Sequence, residues 1–556
     1  MTPGAAAWLI GLGVLLAATA WTLADAWQAR ARGSAAWVAL TLALAAAAVA
    51  VHGHVVPATF LHSNLHGPAL LDAVLAFPEA PTMRPEYGRA GFLALGAAAR
   101  FLGGDFEAVV LANRIALACT LAVVGWLASR WTGRPGAAPI AVLVGIGVPG
   151  LARVAASEDV HTVATLAACL ALLHLDRWAM PTSDGGRRWP ALLAAGGWGV
   201  WALLSRQTLY PWLALFVAVP VLMRDRTLVR DVRFLAVAGL LVAVTSVRIL
   251  ATVLHTNDRV TVDLLPQLLA RPAMLVPALD VHPLVDLSQA AILTPLALAG
   301  LAWLAWARRG GWVLAAVFFG IAVLTWPLGV PTEGDALGFR QPLLVLAVLA
   351  AAVALARLPP VAGTLAAALL VGAAAALPGW HAVQAVSPLV AEREFLKVAL
   401  RSMPKGALLA KLVPHEPMPS YGPPLDLLRA ADVRLVPLRD LQPAEYAAGK
   451  VWFLAGVQCR AWSLAERWQV ADPVAHEQAG VLGLLAAAYG RVLPAGVEDT
   501  GEERPECKAL RAVAAEAIAV RNVPAPGPEL PFVMYGRAPI AMALWRLRNA
   551  PAGLTP

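Results

Sequence analysis

The chain has 556 residues, 59% of them hydrophobic and only 14% charged, with 43 basic against 35 acidic side chains. Soluble domains are roughly a quarter charged, so this composition, with a mean hydropathy of +0.67, excludes a disordered, fibrous or nucleic-acid-binding chain. All five lysines (Lys397, Lys405, Lys411, Lys450 and Lys508) fall in the last third, which separates a membrane part, residues 1–380, from a more soluble tail, residues 381–556.

Crossing about 30 Å of hydrocarbon takes roughly 20 apolar residues in helical form. Windows at 6–26, 35–52, 108–128, 136–150, 160–177, 190–205, 208–223, 234–254, 288–306, 312–330, 341–357 and 361–379 meet that need. They predict an α-helical polytopic membrane protein with about 12 transmembrane helices. The first window has no Lys or Arg before Arg30 and so reads as a retained span, because a secretory signal needs a positive start. Arginine collects in alternate short loops: Arg30 and Arg32, Arg130 and Arg134, Arg177 with Arg187 and Arg188, Arg224 to Arg233, Arg308 and Arg309, and Arg357. That bias assigns these loops to the cytoplasmic side. The loops at about 53–107, 151–159, 256–287 and 331–340 then face outward, and parity sends the tail the same way. In a bacterium this is a multi-pass inner-membrane protein with a periplasmic carboxy-terminal domain.

The first outer loop, about 53–107, is the densest in ionisable groups, among them His62, His66, Asp72, Arg84 and Glu86. Its apolar residues predict interfacial helices, including the amphipathic stretch Ala90–Leu102. His62 and His66 are four apart, so a helix sets them on one face, and with Asp72 they form a weak candidate for a divalent metal ion. Histidines at a wet interface are the plainer reading, and no other cofactor is implied. The second outer loop ends in Ser157-Glu158-Asp159-Val160-His161 at the mouth of a span. Two carboxylates and an imidazole there suit general-base chemistry or helix capping with Ser157 as N-cap. The segment Ser205-Arg206-Gln207-Thr208-Leu209-Tyr210-Pro211 sets an arginine at an outer end, against the charge bias. Such a guanidinium meets an anion or snorkels to headgroups. The last outer loop, Pro331–Arg340, carries Glu333, Asp335 and Arg340.

In the tail, Ala407–Val413, Val433–Leu438 and Lys450–Val457 read as buried strands, and Arg460–Trp468 and Lys508–Ile518 as helices. These make a small soluble α/β or α+β domain without a Gly-rich phosphate loop, zinc spacing or nucleophile elbow. Cys459 and Cys507 share an oxidising compartment and predict a disulfide, while Cys119 and Cys169, inside apolar spans, read as packing residues.

Together these features resemble the GT-C superfamily of membrane glycosyltransferases, in the branch of protein O-mannosyltransferases and the lipid A aminoarabinose transferase. Glu158-Asp159 stands where that family's second outer loop brings an acid to the start of a span. Ala202-Leu203-Leu204-Ser205-Arg206-Gln207-Thr208 is similar to its Leu-Thr-Lys-Gly-Pro segment, with Arg206 in place of the Lys. The chain departs from the pattern in the first loop, where His62, Asn64 and His66 precede a late first acid, Asp72, and the span at 6–26 is an addition. The resemblance covers about residues 35–380 in layout. It implies sugar transfer, with inversion, from a polyprenyl-phosphate donor to a glycan, lipid or protein acceptor at the outer face, in contact with membrane lipids. Asp159, then Glu158, are the implied bases, with Asp72 and Glu86 as first-loop partners. Arg206 and Arg340 are candidates for the donor phosphate, and His161, Tyr210, His62 and His66 for further substrate contacts. Two other readings stand beside it. A transporter, with Arg114 and Arg248 as an intramembrane substrate pair, lacks the expected similarity between chain halves. A non-catalytic GT-C-like glycolipid-binding protein is suggested by the late Asp72.

Overall fold

The computed structural model describes residues 35–60, 66–79, 89–180, 189–206, 226–256, 283–307, 333–375, 380, 383–384, 388–412, 425–465, 496–523 and 540–550. The windows at 6–26, 208–223 and 312–330 lie outside these residues.

The described apolar windows form helices. They are α1 (Ala35–Val55), α4 (Phe106–Thr132), the pair α5 (Ala137–Ile146) and α6 (Pro149–Ala155), α7 (His161–Ala179) and α8 (Trp189–Ser205), followed by α9 (Val232–Thr256), α10 (Pro283–Ala307), α11 (Glu333–Leu355) and α12 (Pro360–Ala375). Among the described residues, α1 and α4 are each long and apolar enough by themselves to cross a membrane, and α5 with α6 adds a third if counted as one bent span. Helix α4 shows how sequence sets the limits. The Asp105 carboxylate accepts the Ala108 N–H at 2.8 Å to start it, and Gly133, at φ 70°, ends it in the left-handed conformation. Its 27 residues reach about 40 Å at 1.5 Å per residue.

Two expectations change. The window 136–150 is not one rod, because the chain breaks at Gly147–Val148 and turns by 77° into α6, with Pro149 at its first helical position. That turn carries the chain directly into the second outer loop. The segment expected as the last outer loop is instead the beginning of α11, which starts at Glu333 and tolerates Pro342 inside it. Of the two intramembrane cysteines only Cys169 is buried, and Cys119 is exposed on its helix.

Helices α2 (His66–Leu75) and α3 (Arg89–Leu102) form the first loop. The apolar side of α3 buries Phe92, Leu93, Leu95 and Ala99. One buried cluster joins this loop to α4, the second loop and the carboxy-terminal elements through Phe60, Leu71, Val74, Phe92, Phe106, Val154, Val160, Leu396 and Leu454.

The tail begins with α13 (Pro388–Ala399). It builds a five-stranded sheet from β1 (Leu408–Lys411), β2 (Arg434–Pro437), β3 (Val451–Ala455), β6 (Ala514–Val523) and β7 (Ile540–Leu547). The order is β2-β1-β3-β7-β6, parallel in the first three and antiparallel beyond. The three expected strands are present, but Arg460–Trp468 is not a helix. Residues Arg460–Ala465 form β4, antiparallel to β5 (Gly496–Glu503). Lys508–Ile518 is half right. Helix α16 (Pro505–Ala512) stops, and from Ala514 the chain pairs with β7, so strand pairing overrides the helical preference of its alanines. Short helices α14 (Leu425–Ala430) and α15 (Pro443–Ala447) cross between strands.

Cys459 and Cys507 form a disulfide across 48 positions of sequence. In the chain-entropy picture a loop of that length stabilises by roughly 3–4 kcal/mol. The double Cys→Ser variant is expected to lose about that much in denaturant titration of the full chain, read by proteolysis of the tail. An unchanged midpoint would contradict it.

Candidate active site

The loop that precedes α7 is held by a buried amide. Asn113, buried in α4, donates from Nδ2 to the carbonyls of Ser157 and Asp159, both at 2.8 Å. Ser157 does not cap α7. Its hydroxyl donates to the Val154 carbonyl at 2.7 Å and accepts from the Asp159 N–H at 3.3 Å. The N-cap position is held by Val160, without a side-chain cap, and the Asp159 carboxylate before it accepts the His161 N–H on Oδ1 at 2.8 Å.

That same Oδ1 lies 2.7 Å from Nδ1 of His161, and Oδ2 lies 3.0 Å from Nη2 of Arg206. The three side chains form a nearly waterless cluster, with Asp159 and His161 1% exposed. Nδ1 of His161 also lies 3.3 Å from Nη2 of Arg206, so the imidazole nitrogen faces both a carboxylate oxygen and a guanidinium N–H. Arg206 follows α8 directly, its N–H still bonded to the Ala202 carbonyl, so the helix end fixes where the guanidinium starts. Arg248 of α9 donates to the Leu203 carbonyl at 2.6 Å and brings a second buried cation to the same end of α8. Glu158 is fully buried, with the Arg153 guanidinium within electrostatic reach.

Two neighbouring elements close over the cluster. A Cβ on Gly91 of α3 would lie 3.0 Å from Val160 and 3.1 Å from Ser205, so the first loop rests on both loops that carry the charges. A Cβ on Gly338 of α11 would lie 2.6 Å from Nδ1 of His161. Three residues on, Gln341 donates to the Thr162 hydroxyl at 3.1 Å. Arg340 therefore belongs to the helix that packs on His161.

The structure brings together Asp159, His161 and Arg206, with Glu158 beside them in sequence. It does not join Asp72 to them. The first-loop carboxylate expected next to Asp159 meets the beginning of α14 instead, near Asp426, Arg429 and the backbone of Leu425. The reason lies in α2, where Leu70, Leu71 and Val74 take the buried side and turn Asp72 towards the tail. His66 is the first residue of α2, and His62, Glu86 and Tyr210 lie outside the described residues. Among the described residues no group of three or more metal-ligating side chains gathers; the proposed set of His62, His66 and Asp72 reaches beyond them. Sequence reasoning missed Asn113 and Gly338. A lone amide inside an apolar span signals the first, whereas Gly338 carries no such signal.

Burial pushes the Asp72 carboxyl up to about 7, and the neighbouring Asp426 adds to it, while the Leu425 and Asp426 backbone and Arg429 pull the other way. A carboxyl raised in this way contributes stability that is complete below its ordinary value near 4 and is lost as pH rises through about 7. The Asp72→Asn variant, a mimic of the protonated form, is expected to exceed the wild-type melting temperature slightly at pH 5 and by more at pH 8. Parallel pH curves for the two proteins would contradict this.

The described arrangement is a frame of packed apolar helices, loop helices lying over a buried carboxylate and guanidinium at helix ends, and a mixed five-stranded sheet in the tail. No family model and no curated protein matches the chain. Among solved structures, the chain is similar to ArnT from Cupriavidus metallidurans bound to undecaprenyl phosphate. The two share 13% identity over 76% of this chain and 93% of that one, with a TM-score of 0.50. The same protein in the apo state aligns over 82% of this chain and 75% of its own, at 13% identity and a TM-score of 0.41. The first of these likenesses shows the fold.

Proposed function

We propose that this chain is an inner-membrane glycosyltransferase that moves a sugar from a polyprenyl-phosphate donor to an acceptor at the outer face of the membrane. The carrying observation is the buried Asp159–His161–Arg206 cluster beneath the first loop. The similar structure holds undecaprenyl phosphate, which supports a polyprenyl-phosphate lipid as partner. In this reading the chain spans the membrane about 12 times, residues 1–380 form the transmembrane part, and residues 381–556 are periplasmic.

The mechanism follows from the charges. Arg206 holds Oδ2 of Asp159. The phosphate of an arriving donor competes for the guanidinium, which binds phosphate bidentately, and Arg340 of α11 is the second candidate cation. Once Arg206 turns to phosphate, Oδ2 is free to accept the proton of the acceptor hydroxyl as its oxygen attacks the anomeric carbon. The sugar–phosphate bond breaks on the opposite face, the phosphate leaves with the bonding electrons, and configuration inverts. Glu158 is the reserve base. His161, fixed by Oδ1 and by Gly338, keeps the carboxylate oriented.

Transfer of labelled sugar from polyprenyl-phosphate donors, assayed in proteoliposomes, tests the reading. Donor-dependent loss of label from the lipid is the expected result. Donor-independent movement of an intact solute across the bilayer would favour the transporter, and lipid binding without turnover would favour a non-catalytic glycolipid binder.

A further inference from the structure

The proposed mechanism leaves the carboxy-terminal part without a task. Helix α13 touches three parts of the molecule through successive polar residues. Glu392 faces the sheet, where its Oε2 accepts the Val457 N–H at 2.7 Å. Arg393, fully buried, grips Asp426 of α14 with both ends of its fork, at 2.8 and 2.6 Å. Lys397 reaches Glu107 at the start of α4 at 2.7 Å.

From Arg393 a packed chain of groups runs to the candidate active site. Its Cζ lies 5.3 Å from the centre of the Phe106 ring. Phe106 stacks on Phe60, with centroids 4.9 Å apart and planes 12° from parallel. A Cβ on Gly67 would lie 2.7 Å from the Phe60 ring, so α2 is pressed on that stack. The residue before Phe60, Thr59, donates its N–H to the Ala156 carbonyl at 2.8 Å, and Ala156 directly precedes Ser157-Glu158-Asp159. Phe106 also begins α4, the helix whose Asn113 holds the carbonyls of Ser157 and Asp159. On its other side Arg393 is tied, through Asp426, to Asp72 of the same α2.

We infer that Arg393 is a positioning residue: through Phe106, Phe60 and Thr59 it holds the second outer loop, so that the carboxy-terminal part sets the geometry of the Asp159 cluster. It acts from a distance and touches no substrate. A guanidinium suits this place because one planar group satisfies a carboxylate bidentately and lies against an aromatic ring. Coupling of this kind needs a contiguous, closely packed path, and each step of this one is a direct contact. The catalytic part of the inference rests on the transferase reading, whereas the coupling itself does not.

The test compares hydrogen exchange in the detergent-solubilised full chain for wild type and Arg393→Met, which keeps apolar bulk and loses the fork. The Thr59 and His161 amides, bonded to Ala156 and Asp159, are the reporters. Peptides spanning 56–60 and 157–162 are expected to exchange tenfold faster or more in Arg393→Met, with residues 171–179 at the far end of α7 unchanged. Arg393→Lys should fall between. Lys397→Met, which breaks the half-exposed pair with Glu107, should change little. If Arg393→Met fails to insert or to form its disulfide, Asp426→Asn opens the same pair from its exposed side and is expected to give the same pattern. Unchanged exchange at both reporters in a folded variant, or equal acceleration at 171–179, overturns the inference. In transfer assays the variants should lose kcat tenfold or more and keep donor KM within about threefold. A wild-type protein without transfer activity sinks the transferase reading, while the exchange result still decides the coupling.

Discussion

Replacing Asp159 by Asn is expected to collapse transfer and also to lower the melting temperature, because it strands the buried Arg206 guanidinium. The amide keeps the shape of the carboxylate, and its oxygen still accepts the His161 N–H that now goes to Oδ1 at 2.8 Å. The bond at the start of α7 is therefore kept. What disappears is the capacity to take a proton and the charge that holds Arg206. Loss of a general base costs typically about 10²–10⁴-fold in rate. The assay is transfer of labelled sugar from polyprenyl phosphate in membranes that carry equal amounts of each protein. A role confined to holding the start of α7 predicts near-normal turnover for the Asn variant, and that outcome would move the base to Glu158. Normal turnover by both Asp159→Asn and Glu158→Gln would remove the second loop from the chemistry.

How much of this was legible in the sequence follows physical lines. Long-range burial writes itself as apolar windows, so the described helices of the amino-terminal part and strands β1, β2 and β3 of the tail could be read. The Ser157–His161 and Arg206 segments stood out because ionisable groups at span ends are costly and hence conspicuous. Their joining, however, is a tertiary fact. No spacing tells that the guanidinium of Arg206 donates to a carboxylate oxygen of Asp159, or that Asn113 ties down the backbone of Ser157 and Asp159. Asp72 misled for a related reason. As the first acid of its loop, though a late one, it is a candidate partner by sequence, yet the side of α2 on which it lies is decided by where Leu70, Leu71 and Val74 are buried. The strands Arg460–Ala465 and Ala514–Val523 were obscured because their form depends on partners far along the chain. Arg393 carried no local signal at all; among the lysines and acids of a soluble tail it reads as a surface residue.

Arg206 offers the sharpest separation of stability from chemistry. Its guanidinium is 4% exposed and pairs with a carboxylate that is 1% exposed. Removing one partner of a buried pair leaves an uncompensated charge and costs typically about 3–5 kcal/mol. Arg206→Met is therefore expected to lower the melting temperature and to remove the stabilisation that added undecaprenyl phosphate gives the wild type. The double variant Arg206→Met with Asp159→Asn leaves no stranded charge, and its stability is expected to recover much of the loss. Transfer and lipid-induced stabilisation should stay absent in it, because both the phosphate anchor and the base are gone. Arg206→Lys keeps a charge without the fork and is expected to bind the lipid more weakly than wild type, with donor KM raised about tenfold. A purely structural Arg206 predicts a different pattern. The double variant would then bind the lipid as wild type does, and the melting shift on adding undecaprenyl phosphate would be equal in the two proteins. That equality would take Arg206 out of donor binding and leave the pair with Asp159 as a strut between α7 and α8.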